Sequence, residues 1–413
     1  MDYRFHVGNR RRLYESLPPG SLVVVYSGKA PRKTGDEYYP FFANRNFVYL
    51  TGVEQQESIL CCYVGEGEWQ ETLYLLPPDA HAERWTGRRL TPQAAAALSG
   101  VEEIAALPAF PAAFDKLAGS GKVERLWLDF DKLTADEPDS QAYRCAAYCR
   151  ERYPFLRLEN LLPRLRRQRT LKQACEIDAM RQAEKITAAG IVAMMQASRP
   201  GMYEYQYKAE FDYTLAQHGV LAPGFPSIIS AGENNFCIHY YDYRGQAQDG
   251  DMVLNDVGAC WDNEINDVSR GWPCNGRFSE RQRLLYECAY ATSEHMFGLL
   301  QPGMPMADVD RLIREYNFER LQEIGLCKSY DEIGKYMWHG GAHHVGYDVH
   351  DIVDMTMPLT PGMVFCIDIG IYCEEWGIGF RLEDNCLITE SGCENLSAVT
   401  PRSIEQIEAV MGR

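Results

Sequence analysis

The chain has no CxxC pair, no apolar run near the roughly 18 residues that cross a bilayer, and little positive charge. With 41 Lys and Arg against 58 Asp and Glu, the net charge is −17, which disfavours nucleic acid or an anionic membrane as partner. Residues 1–20, MDYRFHVGNRRRLYESLPPG, hold no apolar core of signal-peptide length, so the expected location is the cytoplasm. Cysteine is not scarce. The 14 thiols are expected to be reduced, because a chain of 413 residues builds cores without a disulfide framework, and the C-x3-C of Cys145 and Cys149 is a weak metal signal.

What is present suggests two domains, expected at 1–165 and 166–413, in a chain that is 46% hydrophobic and 24% charged. The first alternates apolar β-rich runs (SLVVVYS, NFVYLTGV, SILCCYV, TLYLLPP, RLWLDF) with Ala-rich or amphipathic segments (TPQAAAAL, FPAAFDKLA), the pattern of a small α/β domain. The basic stretch PRLRRQRTLK, 163–172, reads as a solvated face at the boundary and leads into a long helical pattern. Beyond it the sequence repeats weakly. RPGMYEYQYKAEFDYTLAQHG and QPGMPMADVDRLIREYNFERLQEIG each give a PGM turn, an amphipathic helix and a closing Gly, and MVLNDVG later answers MVFCIDIG. Asp256 and Asp368 are counterparts in these halves.

Each acid begins a hairpin. A turn near Trp261, Asp262 and Asn263 is expected to fold Asp256 nearly opposite Asp267, with Cβ atoms about 5 Å apart. Along VFCIDIGIYC, Val364, Cys366, Asp368 and Tyr372 share one face; along GFRLEDNCLIT, Arg381, Glu383 and Asn385 do, so Asp368 and Glu383 converge. Four inward carboxylates need compensating positive charge, and Arg381 supplies only part of it.

The segment HGGAHHVGYDVHD, 339–351, holds four of the nine histidines. His339 and His343 have zinc-helix spacing, but Gly-Gly-Ala stands where the zincin motif needs its Glu, and two glycines disfavour a helix. One histidine with four carboxylates instead forms an oxygen-rich set able to bridge two divalent ions about 3.5–4 Å apart, with glycines letting the backbone pass close to them. Such a set suits Mn or Co better than a structural Zn.

In order and spacing, MVLNDVG, NDVSR, HGGAHHVGYDVHD, MVFCIDIGIY and GFRLEDN resemble the motifs of the pita-bread metallopeptidases, above all the Xaa-Pro aminopeptidases (aminopeptidase P). FFANRNFVYLTGVEQ, 41–55, looks like the signature of their creatinase-like N-terminal domain. The resemblance implies a two-domain α/β fold class: that α/β domain, then a pita-bread α+β catalytic domain with two pseudo-symmetric helix-helix-hairpin halves. It implies metal ligands Asp256, Asp267, His343, Asp368 and Glu383, and catalytic roles for Asp368, His350, His239 and His339. Arg381 and Tyr372 match positions that orient an acidic ligand; His344 is left structural. Two divalent ions, Mn first with Co, Zn or Fe as alternatives, would bridge the attacking hydroxide. The implied partners are peptides with proline in second position and a second copy of the chain, in a homodimer or larger homo-oligomer.

One position departs from the family, which has Glu where this chain has Asp368. Asp reaches about 1.5 Å less far, which puts proton transfer more in question than ligation. Two rivals stay open. A prolidase must recognise a free carboxylate, a task for Arg, yet 343–380 contain no Lys or Arg. A non-catalytic pita-bread protein that binds peptides has the Asp368 substitution as its only support. Creatinase chemistry runs without metal and would leave five donors without a use.

Overall fold

In the computed structural model, which describes residues 1–412, the chain divides into two compact units, Met1–Gln168 and Arg169–Arg413. The first is built on a mixed sheet of β1 (Ser21–Tyr26), β2 (Ile59–Val64), β3 (Trp69–Leu75), β4 (Ile104–Ala106), β5 (Arg125–Leu128) and β6 (Arg157–Asn160), in the order β4-β3-β2-β1-β5-β6. Leu22, Val24, Leu126 and Leu128 pack with Phe114 in its core. One apolar run departs from the strand expectation. NFVYLTGV forms a buried helix, Arg45–Thr51, because Asn44 caps its start by accepting from Phe47 N and Gly52, at φ 67°, ends it in the left-handed region.

The second unit is made of two similar halves. The first half runs α1 (Ala174–Ala197), α2 (Glu204–Gln217), β7 (Ile228–Ala231), β8 (Met252–Val257) and β9 (Val268–Pro273). The second runs α3 (Glu280–Leu299), α4 (Ala307–Glu323), β10 (Ala342–His344), β11 (Val364–Cys373) and β12 (Ile378–Thr389). The glycines of the two PGM turns, Gly201 and Gly303, both take positive φ, 83° and 92°. All six strands pair antiparallel in the order β10-β11-β12-β9-β8-β7, so the halves meet at β12 and β9. Phe365, Ile367, Ile369 and Ile371 of β11, with Phe380 and Leu382 of β12, enter the main core on one face of this sheet. Each buried side chain of that size contributes about 1.5–3 kcal/mol. Alternation therefore sends Cys366, Asp368, Arg381 and Glu383 to the other face.

The basic run at 163–172 is only in part the solvated face expected from its charge, with Arg164, Arg166 and Arg167 exposed. A helix covers Leu162–Thr170, and Arg169 and Lys172 are buried, bound to Asp351. All 14 cysteines are free thiols. Among the described residues no helix is long and apolar enough to cross a membrane.

Candidate metal centre

The site begins with one row across the sheet. Asp256 on β8 lies opposite Ser269 on β9, Ser269 opposite Glu383 on β12, and Glu383 opposite Asp368 on β11. The row corrects the expected hairpin pairing, since Asp267 sits just before β9 and two residues from Asp256's partner rather than opposite Asp256. The turn itself is a two-residue one, with Asp262 and Asn263 at φ 52° and 73°. Counted back from that turn the register runs unbroken, Trp261 opposite Glu264, Cys260 opposite Ile265 and Val257 opposite Val268, which sets Asp256 opposite Ser269. Two residues before Ser269, Asp267 stays on the same face of the sheet.

Histidines enter from the edge strand. His343 on β10 brings Nε2 to 3.3 Å from Glu383 Oε1 and 3.7 Å from Asp267 Oδ2. His339, just before β10, places Nδ1 3.2 Å from Asp368 Oδ2 and Nε2 3.0 Å from the Tyr372 hydroxyl. Its ring fits only because position 370 is glycine, where a Cβ would overlap Nε2. Of the two loop glycines, Gly340 lines the cavity, and Gly341 O accepts from Asp368 N at 2.9 Å, where a Cβ would press on Ile313 of α4 at 2.8 Å. His344 is buried, with Nδ1 3.2 Å from Val364 O.

Arg381 Nη2 donates to Asp256 Oδ2 at 2.8 Å and Nη1 to the Tyr372 hydroxyl at 3.0 Å. His239 and His350 complete the wall of a cavity of about 420 Å³ that Asp256, Asp267, Asp368, Glu383, His339 and His343 also line. The rings of His350 and His343 meet edge to face at 4.4 Å. Tyr372 stands behind this wall, fully buried.

Charge is poorly balanced here. Burial, then Glu383, Asp256 and Asp368, holds the Asp267 carboxyl well above the usual range. Burial lowers His343, but the hydrogen bond and charge of Glu383 outweigh it and raise the imidazole to about 9. The same balance with Asp368 raises His339, whereas burial, reinforced by His343, lowers His350. Oδ1 of Asp256, of Asp267 and of Asp368 are each buried without a hydrogen-bond partner. Unpartnered carboxylate oxygens converging beside an imidazole are what a divalent cation would satisfy, so the residues present fit one.

Several residues of the site carry no signal of their own in the sequence. Ser269 Oγ donates to Glu383 Oε2 at 2.7 Å, and Asn385 Nδ2 donates to Asp267 O at 2.7 Å. Cys366 brings its sulfur into a group with Asp267, His343 and Glu383 whose ligand atoms all lie within 4.8 Å of one another. Period two along β11 puts Cys366 on the face of Asp368, but nothing in the pattern gives it chemistry.

The geometry agrees with what the chain is similar to. Residues 178–390 match metallopeptidase family M24, and residues 6–127 match the aminopeptidase P N-terminal domain. The Xaa-Pro aminopeptidase of Escherichia coli K12 is 30% identical over 97% of this chain and 96% of that protein. Human Xaa-Pro aminopeptidase 3 is 28% identical over 94% of this chain and 80% of that protein. Among solved structures, proline aminopeptidase P II from Yersinia pestis superposes with a TM-score of 0.90 at 29% identity, covering 100% of both chains. A Bacillus anthracis structure given provisionally as an aminopeptidase P reaches 0.97 at 32% identity, over 100% of this chain and 99% of that one. Sheet, cavity and these likenesses together place the chain in metallopeptidase family M24, to which it belongs, as a hydrolase with an aminopeptidase P type of N-terminal domain.

Proposed function

We propose that the chain is a metal-dependent Xaa-Pro aminopeptidase, which releases the first residue from peptides whose second residue is proline. The observation that carries this reading is the gathering of Asp256, Asp267, His343, Asp368 and Glu383 around one cavity, with three carboxylate oxygens left unpartnered. In this reading residues 166–413 are the catalytic domain and 1–165 the N-terminal domain. The five donors hold two divalent ions, manganese before cobalt, zinc or iron, because an oxygen-rich set with one imidazole suits hard or borderline cations. When bound, the ions supply Lewis acidity at the scissile carbonyl and an activated water.

The chain's own groups do the rest. Arg381 and Tyr372 hold Asp256 in place, and His339 steadies Asp368. Asp368 takes the proton of the attacking water and passes it to the leaving prolyl nitrogen. His239 and His350, on the cavity wall, donate hydrogen bonds to the substrate carbonyl as negative charge builds on it. The free peptide N-terminus rests against the acidic residues. The enzyme works in the cytoplasm as a homodimer or larger homo-oligomer.

A prolidase would need a cation free to take the substrate's carboxylate. Arg381 is the one Lys or Arg on the cavity wall among the described residues, and Asp256 and Tyr372 occupy it. The test is hydrolysis of Xaa-Pro-Yaa peptides beside Xaa-Pro dipeptides, in metal-stripped protein and after adding Mn, Co or Zn. Metal-dependent release of the first residue from the longer peptides is expected. Cleavage of dipeptides alone would move the assignment to prolidase, and no cleavage with any metal would favour a peptide-binding protein without catalysis.

A further inference from the structure

Cys366 is fully buried on β11, two residues before Asp368 and on the same face of the sheet. Across the ladder it faces His343 on one side and Asn385 on the other. Its Sγ, a ring nitrogen of His343 and one carboxylate oxygen each from Asp267 and Glu383 lie within 4.8 Å of one another, and Asp368 stands outside this group. Asp368 turns instead to His339, at 3.2 Å. The shorter side chain thus leaves the neighbourhood of His343 to a sulfur.

Asn385 treats that sulfur as an acceptor. Asp267 N donates to Asn385 Oδ1 at 3.1 Å, while Asn385 Nδ2 donates to Asp267 O at 2.7 Å and to Cys366 Sγ at 3.2 Å. Turning the amide over would set oxygen against oxygen at Asp267, so the backbone fixes which end faces the sulfur. A donor aimed at sulfur is the outer support usual for a metal-bound thiolate. The plainer role for a buried cysteine is that of a small apolar filler, and Cys366 does border Val364 and Leu387. A filler, however, has no use for an amide donor or for three ligand atoms at its sulfur.

We propose that Cys366 is itself a metal ligand, joining Asp267, His343 and Glu383 in a set of one sulfur, one nitrogen and two oxygens at one of the two ion positions. This rests on the metal-dependent reading above. On coordination the thiol proton leaves to solvent, and the thiolate favours Zn, Co(II) or Fe(II) over Mn at that position.

Cobalt spectroscopy on the full chain tests it. Metal-stripped protein is loaded with up to two equivalents of Co(II), and the near-ultraviolet is read for a sulfur-to-cobalt charge-transfer band, with Cys366→Ser and Cys366→Thr alongside. The wild type is expected to show the band and both variants to lose it, while the visible d–d absorption of bound cobalt persists. Competition between Zn and Mn should shift toward Mn in Cys366→Thr. A wild type with d–d absorption and no charge-transfer band, or a band unchanged in both variants, overturns the proposal. Should neither variant fold, X-ray absorption on the Zn-loaded wild type decides, with a sulfur shell at about 2.3 Å expected and a nitrogen and oxygen shell alone contradicting it. The two readings fail separately. A cobalt–sulfur band without Xaa-Pro cleavage keeps Cys366 as ligand and removes the peptidase, and metal-dependent cleavage without the band does the reverse.

Discussion

Asp368 holds one oxygen 3.2 Å from His339 Nδ1 and the other without a hydrogen-bond partner, so it can accept a proton on one side while staying oriented on the other. Asp368→Asn preserves the shape and removes the acceptor. The expected result is a fall in kcat of about 10²- to 10⁴-fold with KM nearly unchanged, and an unaltered kcat would take Asp368 out of proton transfer. Away from the site, Glu184 on α1 is buried and accepts from Ser397 Oγ at 3.1 Å. Burial, only partly offset by that hydrogen bond, pushes its carboxyl up from 4.5 to about 8. Between those values the folded chain keeps a proton that the unfolded chain has released. Its contribution to stability is therefore complete below the lower value and lost as the pH rises through the upper one. Against Glu184→Gln, the wild type should lose stability across that window with a slope of at most about 1.4 kcal/mol per pH unit. Urea midpoints at a series of pH values measure this, and parallel curves would mean that Glu184 is ionised in the fold.

The segment between β10 and β11 shows what single elements encode and what they do not. It carries His350, and next to it Asp351 accepts from Lys172 Nζ at 2.5 Å and from Arg169, while Arg169 also reaches Asp348 at 2.6 Å. A Cβ at Gly346 would collide with both Asp351 and Lys172. Asp351→Asn leaves two buried cations undercompensated, at a cost of about 3–5 kcal/mol. It is also expected to lower kcat/KM by loosening His350. A lowered Tm with unchanged kcat/KM would show that this anchor does not position the histidine. No local pattern announces that arrangement, because a run of arginines looks the same whether its partners are water or an aspartate nearly 180 residues away. Local rules did reach the faces of β11 and β12, where Phe365, Ile367, Ile369, Ile371, Phe380 and Leu382 alternate with Cys366, Asp368, Arg381 and Glu383, and the turn at Asp262 and Asn263, where residue type sets backbone conformation. They missed the offset of Asp267 from Asp256, which follows from Trp261 pairing with Glu264 instead of lying in the turn, and the helix at Arg45–Thr51, which its caps decide rather than its hydrophobicity.

At the scale of the molecule, acidic charge is concentrated where it is least screened. The net charge of −17 is spread over a large surface, but Asp256, Asp267, Asp368 and Glu383 share one cavity inside the unit Arg169–Arg413. Their repulsion in the metal-free protein raises the free energy of that unit, and a cation that relieves it binds the folded form alone. At a free concentration one hundred times its Kd, one such ion adds about 2.7 kcal/mol, which for a unit of this size moves Tm by about 5–11 °C. The first unit has its own sheet and core and contributes none of the five donors. Calorimetry with Mn or Zn added, and again after chelation, is therefore expected to resolve a transition that moves with metal and another that stays where it is. Movement confined to the N-terminal unit, assigned by limited proteolysis during heating, would take the metal away from the carboxylates. Movement of both transitions together would instead show that the strain relieved at the cavity is carried by the whole chain.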